Sequence, residues 1–358
     1  MTIALSHGGT TLYSSPSRSE EVWVGTRKGI AVLERQSGGA GWRVARHMLP
    51  DKHISAIHQE PESGLFFAGA FHGGLQVSDD HGATWEAREN GLTEKDVYSI
   101  ASSRNNGSTR LYAGTEPAHL FCSDDLGGRW TELPALRSVP SVPDWSFPAP
   151  PHIAHAKHIN FDPHDPDTVY VSVEVGGLLR STDRGESFEQ LHGIYEDAHR
   201  LVIHPEDPER LYAVTGRGLY VSLDRGKSFE EWISRPSDIG NYPDGCVLHP
   251  QRPDLMFLSA AEYSPGQWRK TRSAEARISR SKDGGRTWEI LTNGLPHRLQ
   301  ASIEALCLEA AGDDVSVFAA TTNGDVYCSD DAGDSWSVIA SGLAPISKDA
   351  HYKDLQAA

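Results

Sequence analysis

The chain has 358 residues, and its 49 acidic against 33 basic side chains give a formal charge of −16, which excludes attachment to a nucleic-acid backbone or an anionic membrane through bulk electrostatics. Its 34 glycines, 21 prolines and 9 tryptophans, with few stretches of helical periodicity, point to an all-β chain long enough to bury a large core. The start, "MTIALSHGG", has no basic segment leading into a long apolar run, and no apolar stretch approaches a membrane span, so a soluble, cytoplasmic protein is expected.

Taken in chain order, the first strand-rich segment is "EVWVGTRKGIAVLERQSGGAGWRV" (Glu21 to Val44). Next comes an apolar run, "GLQV", followed by "SDDHGATW" (Ser78 to Trp85), and this pattern then repeats. It returns as "SDDLGGRW" from Ser123, "STDRGESF" from Ser181, "SLDRGKSF" from Ser222, "SKDGGRTW" from Ser281 and "SDDAGDSW" from Ser329. Each copy sits between two strand-like runs, so it reads as a hairpin turn. The aspartate accepts hydrogen bonds from the turn backbone, glycine takes the left-handed position, and the aromatic packs back between strands.

Counting the segment without a box, seven units result, and the expected fold is a seven-bladed β-propeller forming one domain. The blades are expected over 21–45, 53–90, 96–133, 152–191, 197–232, 244–291 and 302–340. The ring needs a closing strand, and two segments compete for it: the C-terminal tail 341–358, whose "DAHYKDLQ" resembles "DAHRLVIH", and "GGTTLYSS" near the N-terminus. Cys122, Cys246, Cys307 and Cys328 lie in apolar runs without CxxC spacing and are expected as reduced core thiols.

The six copies resemble the Asp-box of the BNR repeats, Ser-x-Asp-x-Gly-x-Thr-Trp, found in sialidase-like and sortilin-like propellers. The resemblance covers nearly the whole chain and implies a propeller whose boxes lie on the face away from any active centre. The sialidase motifs are missing: there is no Phe/Tyr-Arg-Ile-Pro segment, and nothing around Arg27, Arg217 or Arg272 matches an arginine triad.

Chemistry is therefore expected where the first strand of each unit begins. Aligning those strands on their apolar cores puts His53, Asp96, Lys157, His199, Asp244, Ser302 and, if the tail closes the ring, His351 at one position. The ends of the second strands add Arg27, His72, Glu116, Glu174, Arg217, Glu262 and Thr322. Long insertions at the same side carry Trp145, Phe147, Tyr242, Tyr263 and Trp268. Two uses of these residues stand side by side. In one, His53, His199, His351, Asp96 and Asp244 hold a divalent Zn, Fe, Mn or Ni ion. In the other, a metal-free pocket uses His199 or His53 as general base and Arg27 or Arg217 to hold an anion, with Glu116 and Glu174 as further catalytic candidates. His72, His155, Lys157, Glu262, Tyr263, Trp268 and Trp145 are the expected substrate contacts, with no nucleotide cofactor. His58, His204 and His249, one step past the strand cores, are expected to be structural.

The leading expectation is an intracellular enzyme acting on a small molecule by hydrolytic, lyase or oxygenase chemistry. A non-catalytic propeller binding a protein or glycan is the alternative, and a glycosidase ranks last.

Overall fold

The structure is a computed structural model that describes residues 2–36, 41–148, 151–347, Lys353 and Leu355. It is a seven-bladed all-β propeller: among the described residues there are seven sheets, six of four strands and one of five. Two compact units divide the chain, one of residues 1–54 with 234–358 and one of residues 55–233. Among the described residues no helix is long and apolar enough to cross a membrane. The four cysteines are buried.

Apolar residues of neighbouring sheets pack into shared cores. In the 55–233 unit one cluster joins Tyr112, Leu120, Val169, Val171 and Leu179. In the other unit Phe257, Ile278, Leu308 and Val317 do the same work. The Asp-boxes explain the sharp hairpins between third and fourth strands. In the first, Ser78 Oγ accepts the Gly82 N–H at 2.8 Å, while Asp80 accepts the Thr84 N–H at 2.8 Å and the Thr84 hydroxyl at 2.7 Å. The chain turns there through two left-handed residues, His81 and Gly82, at φ 56° and 79°. Ser181, Ser222 and Ser281 repeat the serine-to-glycine bond at 2.7 to 2.8 Å. Hydrogen bonds from the Thr84, Ser228 and Thr287 side chains hold the Asp80, Asp224 and Asp283 carboxyls down to about 2.

Closure comes from the N-terminal segment, and in two places. Ile3–Leu5 pairs in parallel with Glu21–Thr26, completing the sheet that has no Asp-box. Leu12–Ser15, the apolar half of "GGTTLYSS", pairs in parallel with Ile303–Ala311 and gives the last sheet its fifth strand. Buried Glu309 then fixes the chain that follows by accepting the Ser19 N–H at 2.9 Å, the Ser19 hydroxyl at 2.6 Å and the Ser15 hydroxyl at 3.2 Å. The competing tail segment around His351 lies outside the described residues.

Candidate active site

The first strands of five sheets share a defect that positions the site. Asp96–Asn105, His155–Asp162 and Ala198–Ile203 each carry a β-bulge near their start, between Val97 and Ser99, between Ala156 and His158, and between Ala198 and Arg200. The extra residues are Tyr98, Lys157 and His199. Skipped by the strand register, a bulged residue is re-aimed out of the regular alternation. Ile303–Ala311 repeats the feature at Glu304, and Tyr242–His249 at Asp244 and Gly245.

This register corrects the alignment drawn from the sequence. Lys157, His199 and Asp244 do share a position, but Asp96 and Ser302 do not belong to it. Asp96 pairs with Glu116 as His155 pairs with Glu174, and both stand two residues ahead of their bulges. Apolar periodicity alone hides one inserted residue, so the sequence reading shifted these two strands.

Within the 55–233 unit the bulges gather one ionisable cluster. His155 is 1% exposed and lies between two carboxylates, with Nδ1 3.2 Å from Glu116 Oε2 and Nε2 2.8 Å from Glu174 Oε2. Lys157 Nζ stands 3.1 Å from the same Glu174 oxygen, and both side chains are buried. His199 Nε2 faces the other oxygen of Glu174 at 3.7 Å and Asp197 Oδ1 at 3.3 Å. Burial works against a charged His155, yet Glu174 and Glu116 outweigh it and hold its pKa above the ordinary imidazole value. The Tyr98 ring stacks on His155 with centroids 3.8 Å apart, and Phe147 tilts over it at 5.2 Å. Behind this layer, burial and then the charges of Arg200 and Lys157 push His158 well below its usual pKa, and its Nε2 lies 2.8 Å from Arg200 Nη1.

Beside the buried cluster Asp96 meets His72. The His72 N–H donates to Asp96 Oδ1 at 2.5 Å, and its Nδ1 lies 2.9 Å from the same oxygen. Trp145 is half-buried and donates its indole N–H to Ser141 at 3.1 Å. It also packs on Gly176, where an added Cβ would fall 3.2 Å from the indole and 2.4 Å from Val173.

The remaining expected residues are placed elsewhere or otherwise engaged. His53 Nε2 bonds the Ser347 carbonyl at 2.8 Å. Arg27 is exposed, and its backbone N–H donates to the Pro345 carbonyl at 2.9 Å. The Arg217 guanidinium lies 4.1 Å over the Tyr195 ring. Glu262 is tied to Arg277 at 2.6 Å and to Asn241 at 2.7 Å, while Asp244 is buried. Trp268 is not a ligand wall: it is 1% exposed, belongs to a hydrophobic core and donates its N–H to the Tyr263 carbonyl at 2.8 Å, while Tyr263 packs against the same core. The expected metal set of His53, His199, His351, Asp96 and Asp244 draws on both units, and its His351 lies outside the described residues. Among the described residues the one group of three His, Cys, Asp or Glu side chains with converging donor atoms is Glu174, Asp197 and His199. Sequence reasoning missed Asp197 and Tyr98. The signal for Asp197 was "EDAHR", a carboxylate two residues ahead of the bulged His199, just as His155 stands two ahead of Lys157.

Comparison with known proteins fits this architecture. Residues 176–305 match the family described as "Sortilin, neurotensin receptor 3", and residues 76–87 match the BNR/Asp-box repeat. The xyloglucanase Xgh74A of Acetivibrio thermocellus is 26% identical over 261 residues, which cover 61% of this chain. The chain spans only 30% of that enzyme's length. The photosystem II assembly lipoprotein Ycf48 of a Synechococcus strain is 26% identical over 271 residues, covering 73% of this chain and 68% of that protein. Among solved structures, an ancestral GH74 enzyme superposes with a TM-score of 0.63 at 15% identity over 80% of this chain and 38% of its own. Ycf48 of Cyanidioschyzon merolae gives 0.59 at 14% identity over 90% and 95%. The xyloglucanase matches overturn the expectation of an intracellular small-molecule enzyme; the glycosidase ranked last fits them better. The chain is a BNR/Asp-box propeller of seven blades.

Proposed function

We propose that this propeller is a glycosidase acting on a β-glucan of the xyloglucan type, with Asp96 and Glu116 as its two carboxyls. One observation carries the reading: the two residues are direct register partners on neighbouring antiparallel strands, each partly exposed and each in contact with an imidazole. Opposed residues in such a pair have Cβ atoms about 4.5–5.5 Å apart. Retaining glycosidases keep their carboxyl groups about 5–5.5 Å apart. Glu116, held 3.2 Å from His155 Nδ1, attacks the anomeric carbon. Asp96 gives a proton to the leaving oxygen as the glycosidic bond breaks, then takes one from the water that releases the sugar from Glu116. Half-buried Trp145 and Phe147 supply apolar faces for pyranose rings. A polysaccharide substrate would be met outside the cell.

The test is reducing-end release from xyloglucan and its oligosaccharides, with Asp96→Asn and Glu116→Gln beside the parent. Release that each variant lowers by about 100-fold or more, with circular dichroism unchanged, supports the reading. No release by the parent overturns it. A second reading, a non-catalytic peptide-binding propeller, is favoured by the Ycf48 matches, which extend over most of both chains, and by a solved Ycf48 bound to D1 peptide. It predicts peptide binding by calorimetry with no glycan cleavage.

A further inference from the structure

The buried half of the cluster has a geometry that the glycosidase reading does not use. One carboxylate, Glu174, meets two imidazoles at two different spacings. Its Oε2 lies 2.8 Å from His155 Nε2, the length of a charge-assisted hydrogen bond. Its Oε1 stands 3.7 Å from His199 Nε2, which is in turn 3.3 Å from Asp197 Oδ1. The three donor atoms of Glu174, Asp197 and His199 all lie within 4.8 Å of one another. Two ligands at about 2.1 Å from one tetrahedral ion stand about 3.4 Å apart. The His199 spacings bracket that edge, whereas the His155 spacing does not.

The fold holds the three side chains in place. His199 is the extra residue of the bulge between Ala198 and Arg200, so it is aimed by the backbone rather than by ladder pairing. Asp197 lies just before the strand, its carbonyl accepting the Gly216 N–H at 2.8 Å. Glu174 is held from its other side by His155 and Lys157, as ligating carboxylates usually are by outer partners. His199 and Glu174 are both 0% exposed, so water competes little for their donor atoms, while partly exposed Asp197 opens an entry side. We propose that Glu174, Asp197 and His199 bind one divalent first-row transition metal ion. One nitrogen and two carboxylate oxygens suit Zn²⁺ or Mn²⁺, and three protein donors leave positions for water.

The test uses the full chain, stripped with EDTA and titrated with ZnCl₂ and MnCl₂ by calorimetry, with elemental analysis of the protein as purified. One equivalent of ion is expected in the parent. His199→Gln and Asp197→Asn should each weaken binding by more than about tenfold, with far-UV circular dichroism unchanged. If His199→Gln fails to fold, Asp197→Asn, at a partly exposed residue outside the strand, carries the test. Asp96→Asn and Glu116→Gln should keep the ion, which separates this site from the glycosidase reading: glycan cleavage and metal uptake fail independently. A parent that takes up neither ion at millimolar concentration overturns the assignment. So do His199→Gln and Asp197→Asn variants that bind as the parent does.

Discussion

The Asp-box hairpins and the bulged strand starts are both repeated backbone features, but they spend their side chains differently. At the hairpins the same serine, aspartate and glycine return with nearly the same bonds, Ser181 Oγ to the Gly185 N–H at 2.7 Å and Ser222 Oγ to the Gly226 N–H at 2.7 Å. At the bulges the backbone is repeated while the residue changes, from Tyr98 to Lys157 to His199. A position whose side chain is dictated by its own turn has no freedom left for chemistry. A bulge asks nothing of its side chain, so it can carry a different group in each sheet, and neighbouring sheets can assemble a mixed cluster.

The sharpest way to break this contrast is to unbalance the cluster. Glu174→Gln leaves Lys157 buried beside a neutral amide, and loss of one partner of a buried pair costs about 3–5 kcal/mol. Chemical denaturation should show that loss, and the added change Lys157→Met should restore much of it. Next in size is Ser181→Ala, which removes the partner of a buried N–H and should cost about 1–3 kcal/mol in the same assay. Asp183→Asn at the exposed side of that hairpin should cost less than about 1 kcal/mol, because its bonds to Ser187 compete with water. If serine and aspartate prove equal, the hairpin is not held by its buried bond.

A smaller effect should appear against pH. His249 Nδ1 accepts the Gln251 and Arg252 N–H groups at 3.1 Å each, and His204 Nδ1 accepts those of Glu206 and Asp207 at 3.3 and 3.1 Å. These are two of the histidines expected to be structural after the strand cores, and the His249 bonds require a neutral ring. Burial, helped by Arg252 at His249, lowers His58 and His249 to about 4. An unfolded histidine titrates near 6.5. The unfolded chain therefore binds more protons between those values. The stability these rings contribute is complete above about pH 6.5 and drains away as pH falls to about 4. The thermal midpoint of His58→Gln should fall less steeply than the parent's across that window.

The hairpins were legible because their function is local: each residue type answers a need of the turn itself. The pairing of Glu116 with His155 and of Glu174 with His199 was only half legible. The right strand ends were found, but the bulge that decides which residue faces which leaves no trace in an apolar pattern. Asp96 and Ser302 were thus placed two residues out of step and Asp197 was passed over. Trp268 misled for another reason. It sits in an insertion rich in polar residues, yet its seven-residue helix, Pro265–Thr271, folds the indole back into the core.

The N-terminal closure bears on how the chain is made. The 55–233 unit is one contiguous stretch, whereas the other unit draws on both ends of the sequence. Leu12 pairs with Leu308, so at about 5–20 residues per second the ribosome delivers the partner roughly 15–60 s after the strand itself. The contiguous sheets can form while the early strands Ile3–Leu5 and Leu12–Ser15 are already outside the ribosome, the second still without its ladder. A nascent chain stalled before Ile303 would hold Leu12–Ser15 as a strand with no ladder to join, its N–H and C=O groups satisfied by water alone.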